Sequence, residues 1–307
     1  MGDVQQAQMK SSKIVVRLSW LIAVLALVAA GIGLFWQDGG TSFSFTTLHG
    51  QIVQIYGQGL YRYDIPITAV GFKAADAVTL VLAIPLLVLF SLLYQRGSLK
   101  GGLLLTGVFA YFLYNYGSMA IGAAYNTLFL VYVALFSASL FGLVLSLMSF
   151  NMQTLPTHFS KQLPRRGIGM FLIVSGVLLL LVWLVLSIVP ALLRGTAPSE
   201  VASYTTFITG VMDVGVVTPT LIVSGVLLLR HAPMGYLLAS MMLVFTVTLG
   251  PNLTVGGIAQ LLTGVISIGQ FLGGTVPFVI LTLIATWLTI VLFRDFSNVG
   301  TAQRVYA

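Results

Sequence analysis

Two acidic residues, Asp76 and Asp213, stand at or within apolar stretches that are long enough to cross a membrane. Acids in such places are rare and usually face a protein interior or a water-filled cavity, which makes both candidates for binding a solute. If the two carboxyls lay close together with one pKa raised, they could serve as a catalytic acid pair. A structural interpretation also fits: each lies in the first turn of a helix, hydrated and favoured by the helix dipole.

The segment "YGQGLYRYD", residues Tyr56 to Asp64, carries the next cluster of polar groups. Its glycines favour a tight turn, and its tyrosines suit the membrane–water interface. We expect Tyr61, Arg62 and Asp64 either to form part of a lid over a pocket or to belong to an interfacial aromatic belt. In the lid, Arg62 points to Asp213 or Asp76, and the tyrosines point away from it by strand alternation.

A third polar cluster occupies "YFLYNYGSMAIGAAYN", which runs from Tyr111 to Asn126 and includes Tyr114 and Asn115. Tyr111, Asn115 and Ser118 share one helical face because they are spaced at i, i+4 and i+7. That face could line a polar cavity or form hydrogen bonds with neighbouring helices. Tyr114 and Asn115 complete the predicted ligand-binding set, with Asp76, Asp213, Tyr61, Arg62 and Asp64.

Cofactor chemistry is not indicated. The chain has no cysteine, which excludes disulfides, iron–sulfur clusters and thiolate zinc sites. His49, His158 and His231 lack partners at ligand spacing, so neither a metal nor a haem site is expected. No lysine lies within a span, and the common hydrolase and phosphate-binding motifs are missing from the sequence.

Composition identifies the elements that must position these residues. The chain is 58% hydrophobic and 7% charged, with a mean hydropathy of +1.03, and its apolar runs do not alternate as barrel strands do. It therefore predicts an all-α, polytopic transmembrane bundle with about eight spans. The expected spans are 16–36, 75–94, 102–121, 127–149, 167–190, 207–229, 235–255 and 275–293.

The segment 254–274 is apolar but rich in glycine, and it carries Gln260 and Gln270. As a ninth span it would reverse the position of the C-terminus, so we expect an interfacial or re-entrant helix on the outer face. Such backbone is tolerated at membrane depth only where protein or water covers it.

Lysines and arginines predict the orientation. With both termini cytoplasmic, eleven of them lie inside and three outside, as the positive-inside rule requires. The inner set is Lys10, Lys13, Arg17, Arg96, Lys100, Lys161, Arg165, Arg166, Arg230, Arg294 and Arg304. The outer set is Arg62, Lys73 and Arg194, and the acidic residues except Asp3 and Asp295 are also outside.

The two halves of the chain share an order of features. Asp76, Pro85 and Arg96 are followed by a Gly-led helix in residues 1–150, and Asp213, Pro219 and Arg230 likewise in residues 151–307. The halves hold spans 1–4, with an outer loop at 37–74, and spans 5–8. This order indicates two parallel four-helix repeats about an axis along the membrane normal, unless membrane helices resemble one another by composition alone.

Four stretches resemble a family of uncharacterised bacterial multi-spanning integral membrane proteins: "YGQGLYRYD", "DAVTLVLAIPLL", "YFLYNYGSMAIGAAYNTLFLVYVALFS" and "VSGVLLLRHAPMGYLLA". They cover most of spans two to four and six to seven. The family carries no established activity, so the resemblance supports the topology and implies no reaction.

The polar residues concentrate on one side of the expected bundle. We therefore expect a non-enzymatic protein of the cytoplasmic membrane that binds or transports a small solute or lipid in an outward-facing polar pocket. The expected partners are membrane lipids, a small ligand, and further copies of the chain or other membrane proteins, with no nucleic acid. The alternatives are an accessory subunit of a larger membrane complex and an intramembrane enzyme using the aspartate pair.

Overall fold

The described part of the chain is built from eight long helices and one short β-hairpin. The computed structural model describes residue 9 and residues 11–48, 50–294 and 296–297. Asp3, Lys10, His49, Asp295 and Arg304 lie outside it. The helices are α1 Lys13–Phe35, α2 Pro66–Gln95, α3 Leu99–Gly122, α4 Phe129–Leu147, α5 Arg165–Arg194, α6 Ile208–Leu229, α7 Pro233–Leu262 and α8 Ile268–Arg294. Strands β1 Phe43–Thr46 and β2 Ile52–Ile55 pair antiparallel, and short 3₁₀ turns span Leu155–His158 and Ser199–Val201.

Seven of these eight helices are long and apolar enough to cross a membrane, which makes the chain a multi-pass helical membrane protein. The helix outside this set is α3, which carries the tyrosines and the asparagine of the third polar cluster. It packs against α2, α4, α6 and α7, and most of its residues are buried. A helix surrounded by protein needs no apolar outer surface, which explains its lower hydropathy.

The interfacial or re-entrant helix expected at 254–274 does not form. Instead α7 continues to Leu262 and α8 begins at Ile268, so the segment supplies two helix ends and a five-residue turn. A Cβ at Gly257 would collide with Thr275, which shows that this glycine allows close helix packing. Both glutamines have local roles: Gln260 donates to the carbonyl of Ile67, and Gln270 forms a capping box with Ser267.

Within the described residues, four long helices contain a π-helical turn that ends just before a proline. Because proline has no N–H and its ring crowds the carbonyl four residues earlier, the preceding residue bonds five residues back. Ile84 and Thr218 show this, with their N–H groups bonded to Thr79 and Asp213. The turns and their prolines are Thr79–Ala83 with Pro85, Leu184–Ile188 with Pro190, Asp213–Val217 with Pro219, and Phe271–Thr275 with Pro277.

The helices α3 and α7 form the centre of the bundle. They pack on each other, α7 also contacts α2, α6 and α8, and α1 packs on α2 and α4. We call the end that carries β1 and β2 the hairpin end, and the opposite end the basic end. The Lys and Arg residues described at the basic end are Lys13, Arg17, Arg96, Lys100, Lys161, Arg165, Arg166, Arg230 and Arg294. All the acidic residues that the structure describes lie in the hairpin-end half of the bundle.

Candidate functional site

The segment 56–64 folds as a compact turn. The N–H groups of Tyr56 and Gly57 bond back to the carbonyls of Asp64 and Arg62, both at 2.8 Å. Gly57 and Gly59 have φ values of +82° and +59°, a region that L side chains avoid. The strand alternation expected here is wrong, because a turn does not place successive side chains on opposite faces.

Arg62 does not reach Asp76 or Asp213, so the expected contact is wrong. It pairs with Asp38 at 2.9 Å, its side chain is 44% exposed, and it lies over the ring of Tyr63. The N–H of Gly59, 2.9 Å from the carboxylate, lowers the pKa of Asp38 together with the N–H of Gly40 and the guanidinium. Arg62 therefore stabilises the outer surface of the turn and takes no part in a buried site.

Tyr61 points into the bundle and reaches Asp76. Its hydroxyl donates to Asp76 Oδ2 at 2.7 Å, and both side chains are buried. Burial and the neighbouring carboxyl raise the pKa of Tyr61 above its usual range. A Cβ at Gly33 would collide with the carboxylate, so the glycine lets α1 lie directly on it. Asp76 is ten residues into α2, which begins at Pro66, so the first-turn position expected for it is wrong.

Hydroxyl and amide groups lie in the region of Asp76. Thr79 and Tyr111 share a hydrogen bond of 3.0 Å, and the amide of Asn252 lies 3.5 Å from Asn115 Oδ1, at the limit of a hydrogen bond. Several buried polar atoms here have no hydrogen-bond partner within the described part of the chain. They are Asp76 Oδ1, Asn115 Nδ2 and the hydroxyls of Tyr116 and Tyr132. We call the residues of this region the hydroxyl cluster: Asp76, Tyr61, Thr79, Tyr111, Asn115, Tyr116, Tyr132 and Asn252.

Asp213 has a separate environment in which both carboxylate oxygens are satisfied. Tyr114 donates to Oδ1 at 2.8 Å, and the indole N–H of Trp183 donates to Oδ2 at 2.9 Å. This carboxylate therefore joins α3, α5 and α6. Sequence reasoning missed Trp183, although a tryptophan in an apolar span carries an N–H that needs an acceptor.

The two predicted acids do not form a pair. They share no hydrogen-bond partner, since Asp76 binds Tyr61 while Asp213 binds Tyr114 and Trp183. Neither lines the groove or the smaller cavity described below. The carboxyl–carboxyl contact that an acid-pair enzyme needs is therefore not formed.

Asp64 connects three loops at the hairpin end. Its Oδ1 accepts from the N–H of Ala124 and from the hydroxyl of Tyr204, both at 2.8 Å, and the side chain is fully buried. Burial raises the pKa of Asp64 to about 6, and the two hydrogen bonds only partly oppose this. Neither Ala124 nor Tyr204 was predicted, because the pairings join residues 60 and 140 positions apart.

A groove of about 500 Å³ opens next to Asp64. Ala124 and Tyr204 form part of its wall, so the carboxylate holds that wall in place from behind. The lining residues are Phe43, Phe45, Ile55, Tyr63, Ile121, Gly122, Ala123, Ala124, Ser203, Tyr204, Thr205 and Thr206. None of the seven predicted ligand-binding residues is among them. A smaller cavity of about 110 Å³ adjoins Tyr114 and is otherwise lined almost wholly by apolar side chains.

No cluster of His, Cys, Asp and Glu that could hold a metal ion occurs among the described residues. Comparison with protein-family models, with curated proteins and with solved structures finds no match to this chain.

Proposed function

We propose that the protein binds a small amphipathic molecule, a lipid or a lipid-like solute, in the groove at the hairpin end. The groove itself carries the proposal, because its volume of about 500 Å³ lies within the range of small-molecule sites. This location differs from the pocket expected from the sequence: the proposed site lies between the hairpin and the loop that contains Tyr204, and not at the buried aspartates.

The lining favours an amphipathic occupant. Phe43, Phe45 and Ile121 offer apolar contacts, while Ser203, Thr205 and Thr206 are hydroxyl-bearing residues of the same lining. Among the residues that the structure describes, no Asp, Glu, Lys or Arg side chain lines the groove. A strongly charged solute would therefore lose its hydration without gaining an ion pair, whereas an acyl chain with a polar end could satisfy both sides.

We extend this proposal to transport of the molecule across the membrane. In this arrangement all eight long helices span the membrane, and by the positive-inside rule the basic end lies in the cytoplasm of a bacterial cell. A parallel repeat fits the packing: α2 and α6 each carry an aspartate, a π-helical turn and a proline, and each packs on a central helix, α3 or α7. Transporters often place substrate at the interface of such repeats.

The β-hairpin favours a second candidate, an accessory subunit of a membrane complex or of an oligomer of this chain. Two apolar side chains of the hairpin, which lies outside the helices, are strongly exposed: Leu48 at 87% and Ile52 at 75%. The hairpin has two strands, each with one edge unpaired within the described residues. Apolar surface of this kind is typical of contacts with another protein or with the membrane surface.

Native mass spectrometry of the protein released from membranes into mild detergent tests the groove. Ala123→Trp should fill the groove and remove a lipid-sized adduct that the parent chain carries. Leu193→Trp is the matched control, because Leu193 is exposed and lies outside the groove. Equal adduct levels in both variants would contradict the proposal, and a co-purifying protein that is lost only when the hairpin tip is changed would favour the accessory subunit.

A further inference from the structure

The second oxygen of Asp76 is the least satisfied charged atom of the hydroxyl cluster. Oδ2 accepts from Tyr61, but Oδ1 is buried without a hydrogen-bond partner in the described residues. The side chain is only 1% exposed. No lysine or arginine that the structure describes is ion-paired with it. Lys73, one turn earlier in α2, attracts the carboxylate through space but bonds instead to the hydroxyl of Tyr56 at 3.1 Å.

The other groups that the structure places in the region of Asp76 are mostly neutral. The turn 56–64 contributes Tyr61, and α1 contributes Gly33, which cannot carry charge. The hydroxyls of Tyr116 and Tyr132 lie close enough to interact electrostatically with the carboxylate. Asp64 is the other acid near this region, through its interaction with Tyr132. The remaining groups are Thr79 of α2, Tyr111 and Asn115 of α3, and Asn252 of α7.

Keeping the buried carboxyl of Asp76 ionised costs free energy. An isolated buried charge loses its hydration, and groups so placed neutralise unless a counter-charge compensates them. One tyrosine hydroxyl and a lysine that is bonded elsewhere supply only part of that compensation. A multivalent metal would need further anionic ligands, and the described residues provide no such cluster.

We propose that Asp76 is a proton-binding site that is loaded and unloaded reversibly. The proton comes from water and adds to Oδ1, so the carboxylate becomes a neutral acid while Oδ2 keeps the bond from Tyr61. The hydroxyls of Tyr116 and Tyr132 lie within electrostatic range of the carboxyl, and neither is hydrogen-bonded to Oδ1. On release the proton returns to water, and no other bond is formed or broken.

Two features connect this proton to the helices. Gly33 brings α1 against the carboxyl, so a change of charge acts directly on the contact between α1 and α2. The π-helical turn of α2 begins at Thr79, three residues after Asp76, and such turns often occur at functional sites. Proton binding at Asp76 is independent of the groove and of its ligand, because no residue of the hydroxyl cluster lines the groove.

Infrared difference spectroscopy of the full chain across a pH titration tests the site. The parent should show carbonyl stretches of buried protonated carboxylic acids that disappear as the pH rises, and Asp76→Asn should lose the component that belongs to Asp76 while keeping the one that belongs to Asp64. Asp38→Asn is the matched control and should keep the component that belongs to Asp76, because Asp38 lies between α1 and β1 and is ion-paired with Arg62. Tyr61→Phe should move the disappearance upward by about one to two pH units, since it removes a hydrogen bond that favours the anion.

Tyr61→Phe distinguishes proton binding from a merely structural hydrogen bond, because loss of a structural bond would leave the pH of the titration unchanged. The same variant tests the proposal if Asp76→Asn does not fold. The proposal is overturned if Asp76→Asn keeps every carbonyl component of the parent, or if Tyr61→Phe shifts none of them. It is also overturned if the band is controlled by sodium concentration at constant pH, because the site would then bind a metal cation.

Discussion

Replacing Asp64 by alanine should destabilise the protein more than any change at its exposed neighbour Arg62. The substitution removes the acceptor of two buried donors, the N–H of Ala124 and the hydroxyl of Tyr204. Each donor left without a partner costs about 1–3 kcal/mol, so the expected total loss is roughly 2–6 kcal/mol. Arg62→Ala is the matched control. It breaks an ion pair whose two side chains are 44% and 20% exposed, and solvent screening leaves such a pair little effect on stability.

The assay is unfolding of the detergent-solubilised protein, followed by thermal melting and by denaturant titration. Tyr204→Phe keeps the ring but loses the hydroxyl, so by itself it should reproduce part of the destabilisation caused by Asp64→Ala. The double variant should then be less destabilised than the sum of the two single variants, because they break the same contact. If Asp64→Ala melts like Arg62→Ala, Asp64 does not hold the three loops together and the account of the groove wall is wrong.

The same residue predicts a pH dependence. Burial raises the pKa of Asp64 from 3.8 to about 6, so folding favours its protonated form. The folded state therefore holds more protons than the unfolded state between about pH 4 and pH 6, and stability falls as the pH rises through that window. At about 1.4 kcal/mol per pKa unit, this loss is about 3 kcal/mol. Asp64→Asn should be less sensitive to pH than the parent over this range, and an unchanged pH profile would contradict the burial of a titrating carboxyl.

Three further predictions concern other parts of the molecule. Gly33→Ala should destabilise the protein by about 1–3 kcal/mol in a melting assay, because the new methyl group collides with the Asp76 carboxylate, whereas Gly31→Ala has open space and should be tolerated. Trp183→Phe should cost about 1–3 kcal/mol by leaving Asp213 Oδ2 without its donor, and a parent-like melt would show that the bond is not formed. Single cysteines introduced at Ser42 or Ser199 should be labelled in intact cells by an impermeant thiol reagent, because these positions lie outside. Cysteines at Ser98 or Ser160 should not be labelled, because these positions lie inside. The reverse pattern would invert the topology.

Much of the architecture could be predicted because membrane helices can be recognised from the local composition of the sequence. Each predicted span falls largely within one of the long helices, and the loops around Arg96 and Arg230 were correctly placed between helices. The error at 254–274 has a physical cause. Glycine serves both irregular backbone and close helix packing in membranes, and sequence alone does not distinguish the two.

The partners of the polar residues could not be predicted in the same way. Tyr61 and Asp76 are 15 residues apart, yet sequence reasoning expected Arg62, and not Tyr61, to reach a buried acid, either Asp213 or Asp76. The error came from treating opposite charge as the dominant attraction, whereas the fold buries the tyrosine and leaves the arginine in water. Tyr204 and Asp64 are 140 residues apart, and only the packing of three loops brings them together.

The most direct test of the central claim is a cryo-electron microscopy structure of the protein extracted together with its own membrane lipids. Density should occupy the groove, with an apolar portion against Phe45 and Ile121 and a polar end near Ser203, while Tyr204 stays bonded to Asp64. A groove closed by the hairpin packing onto the Tyr204 loop, or filled by a second protein chain, would contradict the claim that the protein binds an amphipathic small molecule there.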